Sequence, residues 1–197
     1  MMDIIYNLPG LFTAIIFHEL AHGFVAYKLG DSTAKDAGRL TLNPFKHLDL
    51  TGFVFLLLFR FGWAKPVPIN SFNFKNRKLG TIMVSLAGPV SNFIIAIIVG
   101  FILSLDLITN AIVFKILFIT LWYNIMLGVF NLLPFPPLDG SKIVASLLPK
   151  KLEYYFYKYE RYFYLILIIL IATNTVDKLM RPIIDAVLNL LILILGW

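Results

Sequence analysis

Cysteine is absent from the 197-residue chain, which excludes disulfide frameworks, thiolate nucleophiles and cysteine-ligated zinc or iron–sulfur sites. Charge is scarce as well: 14% of residues are charged, where a soluble domain carries about 25%. Repeats, low-complexity tracts and flexible linkers are missing. A single domain over 1–197 is therefore expected, a core over 1–148 followed by C-terminal helices over 149–197. The start, Met1-Met2-Asp3, lacks the positive segment of a cleaved signal.

What is abundant is apolar. Hydrophobic residues make up 59% of the chain, with 18 Phe, 9 Tyr and 3 Trp, and the mean hydropathy is +0.84. That load exceeds what a globular core uses, and it rules out disorder. The expected class is an all-α polytopic membrane protein, a transmembrane bundle of about four to six membrane helices. The net charge of +6 could suggest nucleic acid. The basic residues, however, sit in short connections between apolar runs, where they set topology, so no nucleic-acid partner is expected.

Three long spans are expected: Ile4 to Leu29, Leu79 to Leu105 and Ile108 to Leu133. Shorter apolar pieces follow at 141–148, 162–173 and 182–195. Eight Lys or Arg lie between Gly30 and Lys78 and five from Lys142 to Arg161, whereas the connection around Asp106 has none. The positive-inside rule places both basic connections in the cytoplasm and the N-terminus outside, in a multi-pass protein of the cell membrane. Between the first two spans, Phe53 to Phe61 is too short to cross as a helix. The following Gly62 to Ile69 contains Pro66 and Pro68, which forbid helix and suit an extended loop.

The first span holds His18-Glu19-Leu20-Ala21-His22. Each charged group within an apolar helix costs about 2.5–3.5 kcal/mol on insertion scales, so such a cluster asks for a function. His18 and His22, at i and i+4, share a helix face and can grip one tetrahedral ion. Glu19 is then placed to act as general base on water, the H-E-x-x-H pattern. The plainer alternative is that the histidines hydrogen-bond to neighbouring helices; the price of burial inside a span favours zinc. Asp139, held in the proline-stiffened stretch Asn131 to Gly140, completes a His₂Asp set that leaves a fourth zinc position open, as catalysis requires. Alone it would read as a helix cap; beside H-E-x-x-H the ligand reading is favoured. Both approaches place the site in the cytoplasmic half of the membrane, since His22 lies near the cytoplasmic end of its span and Asp139 follows the exit of the third.

These residues resemble the site-2 protease family of intramembrane zinc metalloproteases. His18 to His22 is similar to its zinc-binding helix, Asn131 to Gly140 to its N-x-x-P-x-P-x-x-D-G pattern, and Ala87-Gly88-Pro89-Val90-Ser91-Asn92 to the motif of its intervening core helix. The likeness covers about residues 10–145 in the family's motif order. With no stretch for a PDZ domain, the chain looks like a small member.

The resemblance implies Zn²⁺, one per chain, on His18, His22 and Asp139, with Glu19 as base. It gives Asn131 contact with the substrate backbone or the developing oxyanion; holding the proline loop is an equal alternative. For Gly88 and Asn92, close packing with an interhelical hydrogen bond is set slightly above substrate contact at Asn92. It also makes the segment around Val67 and Ile69 a membrane-associated β-like loop, able to bind an unwound substrate by strand addition. His47 is left outside the site, and Lys65 is read as a snorkelling residue.

The function expected is a zinc-dependent intramembrane endopeptidase that cleaves transmembrane segments or remnant peptides of membrane proteins near the cytoplasmic side. A non-proteolytic zinc-holding chaperone or escort is the alternative, and Glu19 argues against it. A metal transporter would need polar residues along several spans. The partners are a membrane-protein substrate and the lipid bilayer; the oligomeric state stays open.

Overall fold

The computed structural model describes residues 2–52, 54 and 64–196. The short apolar stretch Phe53 to Phe61, but for the backbone and burial of Val54, and the first part of the proline loop, Gly62-Trp63, lie outside these residues. Among the described residues all regular structure is helical, and three helices are long and apolar enough to cross a membrane.

The first, α1 (Met2–Lys28), ends at Gly30, whose φ of +104° reverses the chain. Two single-turn helices follow in the polar connection, α2 (Thr33–Asp36) and α3 (Pro44–His47); Asn43 caps α3 by accepting the Phe45 N–H. The second span, α4 (Arg77–Ser104), starts two residues before the expected Leu79, because Asn76 caps it by accepting from Leu79 N–H. The third, α5 (Ala111–Asn131), starts three residues later than the apolar run, because Asn110 accepts from Ile112 and Val113 N–H and terminates the turn before it.

Beyond the prolines lie α6 (Asp139–Leu147), α7 (Lys150–Lys158), α8 (Glu160–Ala172) and α9 (Thr175–Leu195). At 1.5 Å per residue, α8 reaches roughly 20 Å, short of about 30 Å of hydrocarbon. α9 is long enough but carries Asp177, Lys178, Arg181 and Asp185 in its first half. The fourth to sixth membrane helices expected from the sequence are not found among the described residues.

Helices α1, α4 and α5 pack on one another, and α6 docks against α4. The apolar core runs between α4, α5 and the C-terminal helices, through Val99, Leu121, Ile125, Leu167, Met180 and Ile184. Close crossing is set by small residues: a Cβ on Gly10 would meet the Thr120 backbone at 3.0 Å. The β-like loop is less regular than expected. Among the described residues its regular pairing is one antiparallel bridge, Leu48 to Ala64, with Lys65 N–H donating to His47 O at 2.9 Å. Pro66 and Pro68 remove the donors of one edge of this stretch.

Candidate metal centre

Two chain segments bring one polar cluster into the apolar bundle. His18 and His22 face inward from α1, and Asp139 opens α6; all three are buried, and each offers a ligand atom within 4.8 Å of the others. Asp139 Oδ2 lies 3.1 Å from His18 Nε2 and 2.9 Å from His22 Nε2, and the two Nε2 atoms are 3.0 Å apart. Asp139 is not a helix cap: the capping position is Leu138, and the carboxylate turns to the histidines. Its other oxygen, Oδ1, accepts from Lys142 Nζ at 3.0 Å.

The far side of each ring decides its tautomer. His18 Nδ1 donates to Asn92 Oδ1 at 2.7 Å, and His22 Nδ1 donates to the Val84 carbonyl at 2.7 Å. With the protons on Nδ1, both Nε2 lone pairs point at the carboxylate. Three bare acceptors about 3 Å apart repel one another unless a cation lies among them, and two imidazoles with one carboxylate are a zinc donor set.

Gly88 keeps that space open. A Cβ there would lie 2.5 Å from His18 Cε1 and 2.5 Å from His22 Nε2, inside the cluster itself. Close packing was legible at Gly88; that the packed partners are His18 and His22 was not.

Asn92 is fully buried, with all its hydrogen bonds to protein: Oδ1 accepts from His18, and Nδ2 donates to Ala14 O at 2.9 Å and Asn124 Oδ1 at 3.0 Å. Asn124, which the sequence did not single out, passes the chain on to Thr120 O at 2.8 Å. Asn131 ends α5 and donates back to Leu127 O of its own helix at 3.1 Å. It is not among the residues lining the cavity beside the cluster.

That cavity, of about 330 Å³, runs from His22 and Asp139 past Val67, Ile69 and Lys142 to Tyr157. Val67 is buried and its N–H donates to Glu19 Oε2 at 2.7 Å, whereas Ile69 is 36% exposed. His47 is buried, and its Nε2 donates to Thr41 O at 2.7 Å, away from the cluster.

The family model of peptidase family M50 matches residues 106–173. The Bacillus subtilis protein named "Putative zinc metalloprotease YwhC" is 41% identical over 192 residues, covering 92% of this chain and 86% of that protein. The chain belongs to peptidase family M50, the site-2 proteases. Zinc metalloprotease MJ0392 of Methanocaldococcus jannaschii is 31% identical over 144 residues, 73% of this chain and 34% of that longer protein. No solved structure matches. This M50 chain is thus an integral membrane metalloendopeptidase with zinc as its cofactor, and His18, His22 and Asp139 form a group able to hold that ion.

Proposed function

We propose that this protein is an intramembrane endopeptidase that cuts transmembrane segments or remnant peptides near the cytoplasmic side, with His18, His22 and Asp139 as zinc ligands and Glu19 as general base. The observation that carries the reading is the convergence of two Nε2 lone pairs and one carboxylate oxygen inside a membrane bundle, with a helix glycine leaving room among them.

When bound, zinc acidifies water and polarises a carbonyl oxygen. Glu19 takes the proton from the attacking water and later delivers it to the leaving amine. Asn92 and the Val84 carbonyl hold the histidines in the metal-binding tautomer, and Lys142 holds the second oxygen of Asp139. The cavity past Lys142 and Tyr157 supports entry of water from the cytoplasmic side. Asn131 lies outside its lining and donates to its own helix, so neither contact with an oxyanion nor the loop-holding role draws support from a side-chain contact.

A helical substrate hides its peptide bonds in i→i−4 hydrogen bonds and must unwind to be cut. The 65–70 segment is the surface for the unwound stretch: Ile69 lines the cavity beside the ligands, and its backbone pairs with substrate, while Val67 seats the segment against α1. The whole chain acts as one membrane domain, a core over 1–148 carrying the site and C-terminal helices over 149–197 closing the bundle.

Glu19→Gln tests the mechanism. It should retain zinc and lose turnover by about a thousandfold or more, read by cleavage of a tagged single-span substrate and by zinc content. Wild-type turnover in that variant would reject Glu19 as the base and return the zinc-holding escort to consideration.

A further inference from the structure

The polar connection after α1 contributes two enclosed charges to the 65–70 segment, and they grip it with opposite polarity. Arg39 is buried, and its fork donates to two consecutive carbonyls: Nη2 to Lys65 O at 2.6 Å and Nη1 to Pro66 O at 3.1 Å. At the other end Asp31 accepts from Asn70 N–H at 2.7 Å and from Asn73 Nδ2 at 2.8 Å. Pro66 and Pro68 have no N–H, so the amides left over 65–70 belong to Lys65, Val67, Ile69 and Asn70. Lys65 donates to His47 O, Asn70 to Asp31, and Val67 to Glu19 Oε2 at 2.7 Å. The carboxylate held by that amide is the one assigned as base.

We propose that Arg39 is a positioning residue for Glu19: by clamping the carbonyls of Lys65 and Pro66, it aims the Val67 N–H at the glutamate and sets the carboxylate beside the metal site. The inference rests on the reading of Glu19 as general base. A planar guanidinium suits the task because one pre-organised group reaches both carbonyls, which an ammonium cannot do with the same rigidity. Burying that cation away from water is unfavourable without such partners. The side chain of Glu19 has three rotatable bonds, and a fixed donor on one oxygen removes much of that freedom while leaving the other oxygen for water. Val67 is braced from the other side as well: its Cγ1 and the side chains of Leu40 and Ala34 crowd Gly23, one residue from His22, where a Cβ would meet them at 2.7–3.2 Å.

The absence of cysteine permits a direct test. Ile69→Cys carries a unique nitroxide, whose mobility reports the segment without any substrate. Arg39→Gln and Glu19→Ala should each loosen the label, and the double variant should add little beyond the larger effect, because both act on one amide. In the unlabelled protein Arg39→Gln should keep its zinc, and kcat for a tagged single-span substrate should fall about 10–100-fold, with a smaller change in KM. Arg39→Lys should recover part of that loss, and it carries the same readouts if the glutamine variant is not monodisperse.

A label insensitive to Arg39, or additive effects of the two substitutions, would overturn the clamp. A rise in KM with kcat unchanged would also overturn it, since Arg39 would then serve substrate pairing alone. If the wild type holds zinc yet cleaves nothing, the endopeptidase reading fails, and the label spectra still decide whether Arg39 places Glu19.

Discussion

At the scale of single residues, the candidate metal centre depends as much on what is missing from α4 as on the candidate ligands of α1. The rings of His18 and His22 are pinned from behind by Asn92 and Val84, so they cannot retreat from a methyl group placed between them. Gly88→Ala should therefore reduce zinc from about one per chain to a small fraction, with helical content unchanged in circular dichroism. Full zinc in a folded variant would show that the rings have more freedom than their hydrogen bonds allow.

Asp31 yields a pH dependence. Burial pushes its carboxyl up, but the Thr33 hydroxyl, the Asn70 N–H, the Asn73 amide and the Thr33 N–H outweigh it and hold it below the usual 3.8. A group whose folded pKa is depressed contributes stability that is complete above its unfolded pKa and disappears as pH falls through the folded value. Thermal unfolding in detergent should thus lose more stability below about pH 4 in the wild type than in Asp31→Asn. Parallel acid profiles would remove Asp31 from the account.

At the scale of elements, the 65–70 segment links the connection after α1 to the site. Substitution by proline probes its amides one at a time, since proline deletes the donor at each position, at Val67 together with the side chain packed near Gly23. Val67→Pro removes the hydrogen bond to Glu19 and should lower turnover at least about tenfold with zinc retained. Ile69→Pro removes an amide proposed for substrate and should raise KM. Unchanged kinetics in both variants would mean that the segment takes no part in cleavage. That the 65–70 segment is not helical was legible from Pro66 and Pro68. Its partners were not, because Arg39 and Asp31 read as ordinary loop charges until the fold encloses them against backbone.

At the scale of the whole molecule, orientation is testable in the same cysteine-free background. Phe45 is 82% exposed in the basic connection and Leu107 76% exposed in the uncharged one. An impermeant maleimide should label Leu107→Cys but not Phe45→Cys on intact cells, and the reverse pattern would invert the positive-inside assignment.

The sequence alone determined the membrane class, the three long spans and the candidate ligands. Hydropathy, helical spacing and residue chemistry are local properties: His18 and His22 share a face by period, and Asp139 stands in a proline-stiffened turn as a carboxylate of the right chemistry for a zinc set. The C-terminal helices were poorly legible because charge, length and apolarity disagree there, as in α9.

Only the tertiary structure decided what stands behind and around those ligands. Asn92 meets His18 across 74 residues, Val84 meets His22 across 62, and Val67 meets Glu19 across 48. No local period encodes such pairings. They arise when α1 packs against α4 and the 65–70 segment, and in an apolar bundle an unmade hydrogen bond at these groups is unfavourable.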